Sequence, residues 1–191
     1  MSEVNRLWLI RHAPVRGPKG VIHDSDAAAD TGDEAAFAAL RAKLPAGAAP
    51  FASPAVRTLQ TAAALGLRPQ AELNFREQNF GAWTGRRHDD LARELGAAYR
   101  DFWRTPANSR PPGGESFADQ IVRVGDGLAA LPPGDAVLVV HSGTVRAVLA
   151  IALGIAPEAA LRFAIDPLSL TRIDRLQNDW RVVGVNRLCG G

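Results

Sequence analysis

The sequence predicts an α/β protein: a three-layer α/β/α sandwich around a mostly parallel sheet, with a small inserted helical lobe. Three observations predict it. Short, continuous apolar runs alternate with helical segments, the pattern of strands covered on both faces. Two of those runs end in a histidine, His12 and His141. Over residues 76–120 the pattern gives way to aromatics, charges and a Pro/Gly loop, which marks the insertion. A chain of 191 residues suits a single domain, 1–191, that includes this lobe. It is long enough to bury a substantial core without disulfides or metals.

Each element follows from local chemistry. Leu7-Trp8-Leu9-Ile10 is the first strand, and Arg11-His12-Ala13-Pro14 is its carboxyl end. Residues 15–33 are rich in Gly, Pro and Asp and form a loop. Thr31 or Asp33 caps a helix that runs through Phe37 and Leu40 to about Lys43. Residues 45–50 break it. Pro50-Phe51-Ala52 is a short strand. Ser53-Pro54 reads as an N-cap with Pro at the first helical position, opening a helix over 55–65 that Gly66 ends. Residues 71–75 read as another short strand. The lobe carries Trp83, Tyr99, Phe102, Trp103 and the loop Arg110-Pro111-Pro112-Gly113-Gly114. Ser116 caps a helix over 117–131, and Pro132-Pro133-Gly134-Asp135 turns the chain. Ala136-Val137-Leu138-Val139-Val140 is the clearest strand. It meets His141-Ser142-Gly143, and a helix over 144–153 ends at Gly154. Residues 168–174 and 180–185 form a final antiparallel pair around an Asn178-Asp179 turn.

Composition excludes several function classes. The chain is 47% hydrophobic and 22% charged, which excludes global disorder and collagen-like structure. A formal net charge of +2 is no nucleic-acid stripe. Among 22 basic residues only Lys19 and Lys43 are lysine. Ala, Gly and Pro are abundant too, so codon bias accounts for most of the arginines, yet the arginine fork suits phosphate and carboxylate. The one cysteine, Cys189, excludes a disulfide within the chain and fits a reducing compartment. The first twenty residues, with Glu3, Arg6 and one short apolar run, do not make a signal peptide. The longest apolar stretch, 147–156, is too short to span a bilayer. The expectation is a cytoplasmic protein with no membrane partner.

The candidate site follows from position. In open α/β sheets ligands bind beyond the carboxyl ends of the strands. His12 and His141 both stand there, with Arg11 beside the first. Arg57 lies in the first turn of the helix after the Phe51 strand, at the same edge. Two arginines, two histidines and helix N-terminal amides make an anion site, and the ligand this predicts is a phosphoryl group. Singly, a strand-end histidine is most often structural and a first-turn arginine solvated. Together, on three strand ends, they are harder to dismiss. Asp24, Asp26 and Asp30 lack the spacing of a calcium loop and read as solvated carboxylates or helix-entry residues. His23 could reach the substrate from the loop after His12, although a surface histidine is the plainer reading, and His88 reads as a surface histidine. The chain has no HExxH and no Cys cluster, so no metal is expected. Val140 stands where a nucleophile elbow ending at Ser142 needs Gly.

Leu9-Ile10-Arg11-His12 resembles the signature of the histidine phosphatase superfamily, the phosphoglycerate mutase-like fold. Ala13-Pro14 stands where that motif usually continues with Gly and then Glu or Gln. Ser53-Pro54-Ala55-Val56-Arg57-Thr58-Leu59-Gln60-Thr61-Ala62 resembles the family's second arginine motif. Arg76-Glu77-Gln78-Asn79-Phe80-Gly81-Ala82-Trp83-Thr84-Gly85 resembles its acid motif, and Pro112-Gly113-Gly114-Glu115-Ser116 its insert-lobe loop. Val139-Val140-His141-Ser142-Gly143-Thr144-Val145-Arg146 resembles its second histidine motif, with Ser142 in place of the usual Gly. The five matches run in family order over residues 7–146. Arg11 to Val15 and Gly20 to Asp26 further resemble small bacterial phosphatases of the α-ribazole phosphatase kind, although His23-Asp24 replaces the expected Tyr-Gly.

The resemblance implies a metal-independent phosphomonoester hydrolase, without cofactors, acting on a small phosphometabolite through phosphohistidine. Neutral His12 would attack phosphorus in line. Arg11, Arg57 and His141 would clamp the non-bridging oxygens, helped by the N–H of Ser142 or Gly143. Glu77 would protonate the leaving oxygen and then deprotonate water. The arginines would supply the positive charge that a metal provides elsewhere. A plainer reading of Glu77 is a loop carboxylate paired with Arg76, Arg86 or Arg87. Trp83 reads as lobe packing, and Gly113-Gly114 as a flexible turn or a substrate cover. Phosphatase is favoured over mutase because the short chain leaves little sequence to shield an intermediate from water. Pro14-Val15 also lacks the polar groups a second phosphate needs. A phosphoglycerate-type mutase, a serine hydrolase and a non-catalytic phosphate-binding module stay open, although the last needs neither nucleophile nor acid.

Overall fold

Leu7, Trp8, Leu9 and Ile10 are all buried because β1 (Asn5–Arg11) lies inside a sheet covered on both faces. The computed structural model describes residues 4–177 and 179–189. Glu3 and Asn178, named above, lie outside the described residues. The other strands are β2 (Ala49–Ala52), β3 (Gln70–Ala71), β4 (Ala136–Val140), β5 (Leu170–Arg175) and β6 (Trp180–Arg187). Their order is β3-β2-β4-β1-β5-β6. The pairs β3/β2, β2/β4 and β4/β1 are parallel, while β5 and β6 extend the sheet antiparallel.

Alternation along the strands sorts the core into two layers. Leu7, Leu9, Leu138 and Val140 pack with Val124 and Leu128 of α5 (Phe117–Ala130) and Val145 and Leu149 of α6 (Ser142–Leu153). Trp8, Ile10, Val137 and Val139 face the other way, onto Phe37 and Leu40 of α1 (Glu34–Arg41) and Ala62 of α2 (Val56–Ala64). Each such buried aliphatic side chain is worth roughly 1.5–3 kcal/mol. A short helix, α7 (Pro157–Ala160), follows α6. The lobe has its own apolar cluster: Ile22, Trp83, Leu91 of α3 (His88–Leu95), and Tyr99 and Phe102 of α4 (Ala97–Arg104).

The helix ends show which local signals act. Asp33, not Thr31, caps α1, accepting from the Ala36 amide at 3.0 Å. Ser116 and Asp119 form a reciprocal capping box at the start of α5. Gly154 ends α6 in the left-handed conformation. Two expectations are corrected. Ser53 does not cap α2. Ala55 is the N-cap without a side-chain bond, and the Ser53 hydroxyl turns instead to His141. Residues 71–75 are not a strand, because only Gln70 and Ala71 find a partner in the four-residue β2. Glu72 then caps a 3-10 turn, Leu73–Phe75, that drives Phe75 into the core. Gly127 of α5 leaves the space for the Phe75 ring. Among the described residues, no helix is long and apolar enough to cross a membrane.

Candidate active site

Sheet order decides where the polar residues meet. The strands β2, β4 and β1 are adjacent and parallel, so their carboxyl ends share one edge. Arg11 pairs with Val140, and the His12 amide donates to the Val140 carbonyl at 2.9 Å. His12 and His141 therefore leave their strands side by side, with ring centroids 5.2 Å apart. Arg57 reaches them from the first turn of α2.

His12 is buried and its Nδ1 lies 2.7 Å from the carbonyl oxygen of Ala13. Only an N–H can occupy that contact, so Nδ1 donates and Nε2 carries the lone pair of the neutral ring. Burial, then His141, Arg57 and Arg11, push the His12 pKa down to about 3 against the opposing pull of the Ala13 carbonyl. His141 is wholly buried, and burial and then Arg57 hold it well below the ordinary histidine value. Its Nε2 lies 2.8 Å from Ser53 Oγ and its Nδ1 3.4 Å from Arg57 Nη2.

Both arginines are anchored by one arm. Arg11 Nη1 donates to the Ile165 carbonyl at 2.6 Å, and Arg57 Nη1 donates to the Asp24 carbonyl at 2.5 Å. Among the described residues the buried Arg11 Nε has no partner. Burial lowers both guanidinium pKa values while the Glu77 carboxylate raises them. They remain cations at neutral pH.

Glu77 pairs with none of the three expected arginines. Arg86 binds Glu94, Arg87 lies near Asp89, and Arg76 donates to the Leu73 carbonyl. Instead Glu77 Oε1 accepts from the Gln78 amide at 3.0 Å and from Gln120 Nε2 at 3.3 Å. It lies against the N-terminus of α6. A Cβ at Gly143 would run into Glu77 Oε1 and the Gln120 amide. The backbone behind Glu77 is held by Arg123, which donates to the carbonyls of Asn74, Arg76 and Glu77 and pairs with Glu115. Gly113-Gly114 belongs to this brace. The Glu115 amide donates to the Asn79 carbonyl at 2.9 Å, and a Cβ at Gly114 would strike that same carbonyl.

A cleft of about 360 Å³ opens on this edge. Arg11, His12, Arg57, Glu77, Ser142 and Gly143 line it together. His141 sits one layer behind, reaching the cleft through Arg57 and His12. The first amides of α6 have no intrahelical partner, and Ser142 and Gly143, which carry two of them, line the cleft. His88, expected at the surface, and His23, for which a reach to the substrate stayed open, both line the cleft. His88 Nδ1 is 2.6 Å from Tyr99 Oη, so packing in the lobe turns it inward. Trp83 is buried in the lobe. Sequence reasoning missed Gln120, Arg123 and the true partner of Ser53. Gln120 and Arg123 lie on one helix, α5, and only their burial and their contacts across the fold reveal them.

The arrangement can grip a tetrahedral anion between two guanidinium groups and a helix N-terminus, with an imidazole lone pair on one side and a carboxyl group on the other. A sequence model described as histidine phosphatase superfamily (branch 1) matches residues 7–188. The fold is like that of the α-ribazole phosphatase from Shigella flexneri, with a TM-score of 0.82 at 23% identity over 97% of this chain and 98% of the other. A Thermus thermophilus protein, solved as a variant, is 31% identical with a TM-score of 0.74, over 96% of this chain and 99% of its own. A 2,3-bisphosphoglycerate-dependent phosphoglycerate mutase from Azorhizobium caulinodans is 29% identical over 103 residues. The match covers 51% of this chain and 50% of the mutase, so the chain spans about half the length of such curated relatives. By motif order, site geometry and a family match over almost its whole length, the chain belongs to the histidine phosphatase superfamily, branch 1.

Proposed function

We propose that this protein is a metal-independent phosphomonoester hydrolase that works through a phosphohistidine at His12. One observation carries the reading: the His12 Nδ1–H is tied to the Ala13 carbonyl, which leaves Nε2 as a lone pair in a cleft lined by Arg11, Arg57 and Glu77.

The chemistry follows in two displacements. Arg11, Arg57 and the amides of Ser142 and Gly143 hold the non-bridging oxygens of the ester. Arg57 Nη2 donates to His141 Nδ1, so the His141 ring proton lies on Nε2 and is donated to Ser53 Oγ, and His141 serves the anion by holding the Arg57 guanidinium in place. His12 Nε2 attacks phosphorus in line. The P–N bond forms, the ester P–O bond breaks, and Glu77 gives its proton to the departing oxygen. Glu77, now a carboxylate, takes a proton from water as that water attacks phosphorus. The P–N bond breaks, neutral His12 returns and inorganic phosphate leaves.

Hydrolysis is favoured over isomerisation by the apolar lining at Val15, where a second phosphate needs donors. The mutase reading draws on the curated relatives, and a phosphoglycerate isomerisation assay distinguishes it.

The test is turnover of 4-nitrophenyl phosphate and of simple alkyl phosphates. His12→Ala abolishes both, Ser142→Ala keeps most of both, and acid quench of the wild type traps an acid-labile phosphoprotein. Glu77→Gln slows alkyl esters by about 10²-fold or more and 4-nitrophenyl phosphate least, because a good leaving group needs no proton. Near-normal turnover by His12→Ala overturns the nucleophile, and equal losses on both esters for Glu77→Gln overturn the acid.

A further inference from the structure

One contact beside the nucleophile has no part in the two displacements. Thr61 of α2 and Ala13 are both fully buried. A helical threonine can give its proton to the carbonyl one turn back, and Thr61 Oγ1 donates to the Arg57 carbonyl at 2.7 Å. The hydroxyl has lone pairs left. One of them accepts the Ala13 N–H at 3.0 Å, from 48 positions away in the chain. That amide belongs to the peptide between His12 and Ala13, and the Ala13 carbonyl holds His12 Nδ1. A single hydroxyl therefore ties the residue that orients the attacking imidazole to the turn of helix that carries Arg57.

The other end of Ala13 is held as well. A residue before proline is confined to extended backbone, and the Pro14 carbonyl accepts from the Asp30 amide at 2.6 Å. Val15 faces Ala29 in an antiparallel bridge, and the Arg16 amide donates to the Ala28 carbonyl at 2.8 Å. Gln60, next to Thr61 on α2, takes the Ala29 amide at 2.8 Å. Both arms of this small ladder thus hang on adjacent residues of α2. With Pro14 limiting Ala13 from one side, the bond to Thr61 sets the peptide on the other side, and with it the direction of the His12 ring. Both bonds of the hydroxyl go to backbone. The Arg57 guanidinium keeps its own anchors, the Asp24 carbonyl and His141. Loss of the hydroxyl therefore disturbs the aim of His12 before it disturbs the grip on the anion.

We infer that Thr61 is a positioning residue of the reaction: its hydroxyl aligns the Ala13 carbonyl, and through it His12 Nε2, with the anion held by Arg57. This rests on the reading of His12 as the nucleophile and adds a residue to it.

The test compares Thr61→Val, which keeps the shape of the side chain and removes both bonds, with Thr61→Ser, which keeps both. Turnover of 4-nitrophenyl phosphate and of alkyl phosphates reports attack, calorimetry with inorganic phosphate reports the anion site, and NMR of isotope-labelled histidine reports which nitrogen of His12 carries the proton. Thr61→Val is expected to lower kcat about tenfold or more, alike on both esters, because attack suffers and protonation of the leaving group does not. Its phosphate affinity stays near that of the wild type, and its His12 signals move from the Nδ1–H form toward a mixture of tautomers. Thr61→Ser restores most of kcat. Full kcat in Thr61→Val, a parallel fall of kcat and phosphate affinity, or a Thr61→Ser as slow as Thr61→Val overturns the assignment. A wild-type measurement decides the matter should Thr61→Val not fold: the Ala13 amide, outside every strand and helix, is expected to exchange slowly with solvent, and fast exchange overturns the assignment. If the wild type hydrolyses no phosphate ester while Thr61→Val shifts the His12 tautomer, the hydrolase reading falls and the positioning stands. If turnover through His12 survives Thr61→Val at full rate, the reverse holds.

Discussion

An imidazole attacks phosphorus only when it is neutral and its lone pair is aimed. At His12 both conditions come from immediate neighbours: the Ala13 carbonyl takes one nitrogen, and burial beside His141, Arg57 and Arg11 keeps the ring uncharged. Glu77 needs a comparable holder that serves it with and without a proton. Gln120 is placed for that. It is fully buried, its Nε2 faces Glu77 Oε1, and among the described residues its Oε1 has no partner. Half a turn of the amide exchanges donor for acceptor, so one side chain can meet either state of the carboxyl group. Gln120→Leu removes both options at similar volume. The expected result is about a tenfold loss of kcat on alkyl phosphates with little change on 4-nitrophenyl phosphate, read from a leaving-group series. A uniform loss across the series would reduce Gln120 to packing. The arginines, histidines and Glu77 were legible in the sequence because each stands in a motif. Gln120, Arg123 and the Ala13 carbonyl were not, because their roles are contacts across the fold or with backbone, which no local pattern encodes.

At the scale of elements, what matters is how closely α6 approaches the acid segment. The helix starts at Ser142 without a side-chain cap, which leaves its first amides open. Gly143 is the one position there that lets Glu77 and Gln120 come near. Gly143→Ala places a Cβ where the carboxylate now sits. Alanine favours a helix over glycine by about 1 kcal/mol, which opposes the steric cost. The variant is therefore expected to melt within a few degrees of the wild type while losing at least about tenfold on alkyl esters. Parallel melting and turnover measurements separate the two effects. Retained turnover would show that the close approach is dispensable. The elements that the sequence defined best, β1 and β4, are apolar runs buried on both faces. Those it misjudged depend on tertiary partners. Residues 71–75 lacked a long enough neighbour, and Ser53 bonds to a histidine 88 positions away.

For the whole molecule, strand order makes the site, because only the sequence β2-β4-β1 sets Arg57, His141 and His12 side by side. Apolar runs predict strands, not their order, so convergence was an expectation until the register was known. The same convergence makes stability depend on pH. The folded pKa values of His12 and His141 both lie below the ordinary value near 6.5 of the unfolded chain. Below pH 6.5 the unfolded chain therefore binds protons that the folded protein refuses, and stability falls as pH falls. For His12 the window runs from about 6.5 down to about 3, and each histidine contributes a slope of at most about 1.4 kcal/mol per pH unit. Above pH 7 neither contributes. Asp119 is held below the ordinary carboxylate range by Arg110 and Ser116, so its own loss comes at lower pH. Denaturant unfolding between pH 7.5 and pH 4.5 should show a steep acid loss in the wild type and a shallower one in His12→Gln, which lacks one of the two refusing rings. Inorganic phosphate, bound by the folded site alone, should raise stability at each pH. Superimposable pH profiles for wild type and His12→Gln would mean that the fold does not hold this imidazole neutral, and attack by its Nε2 would lose its physical basis.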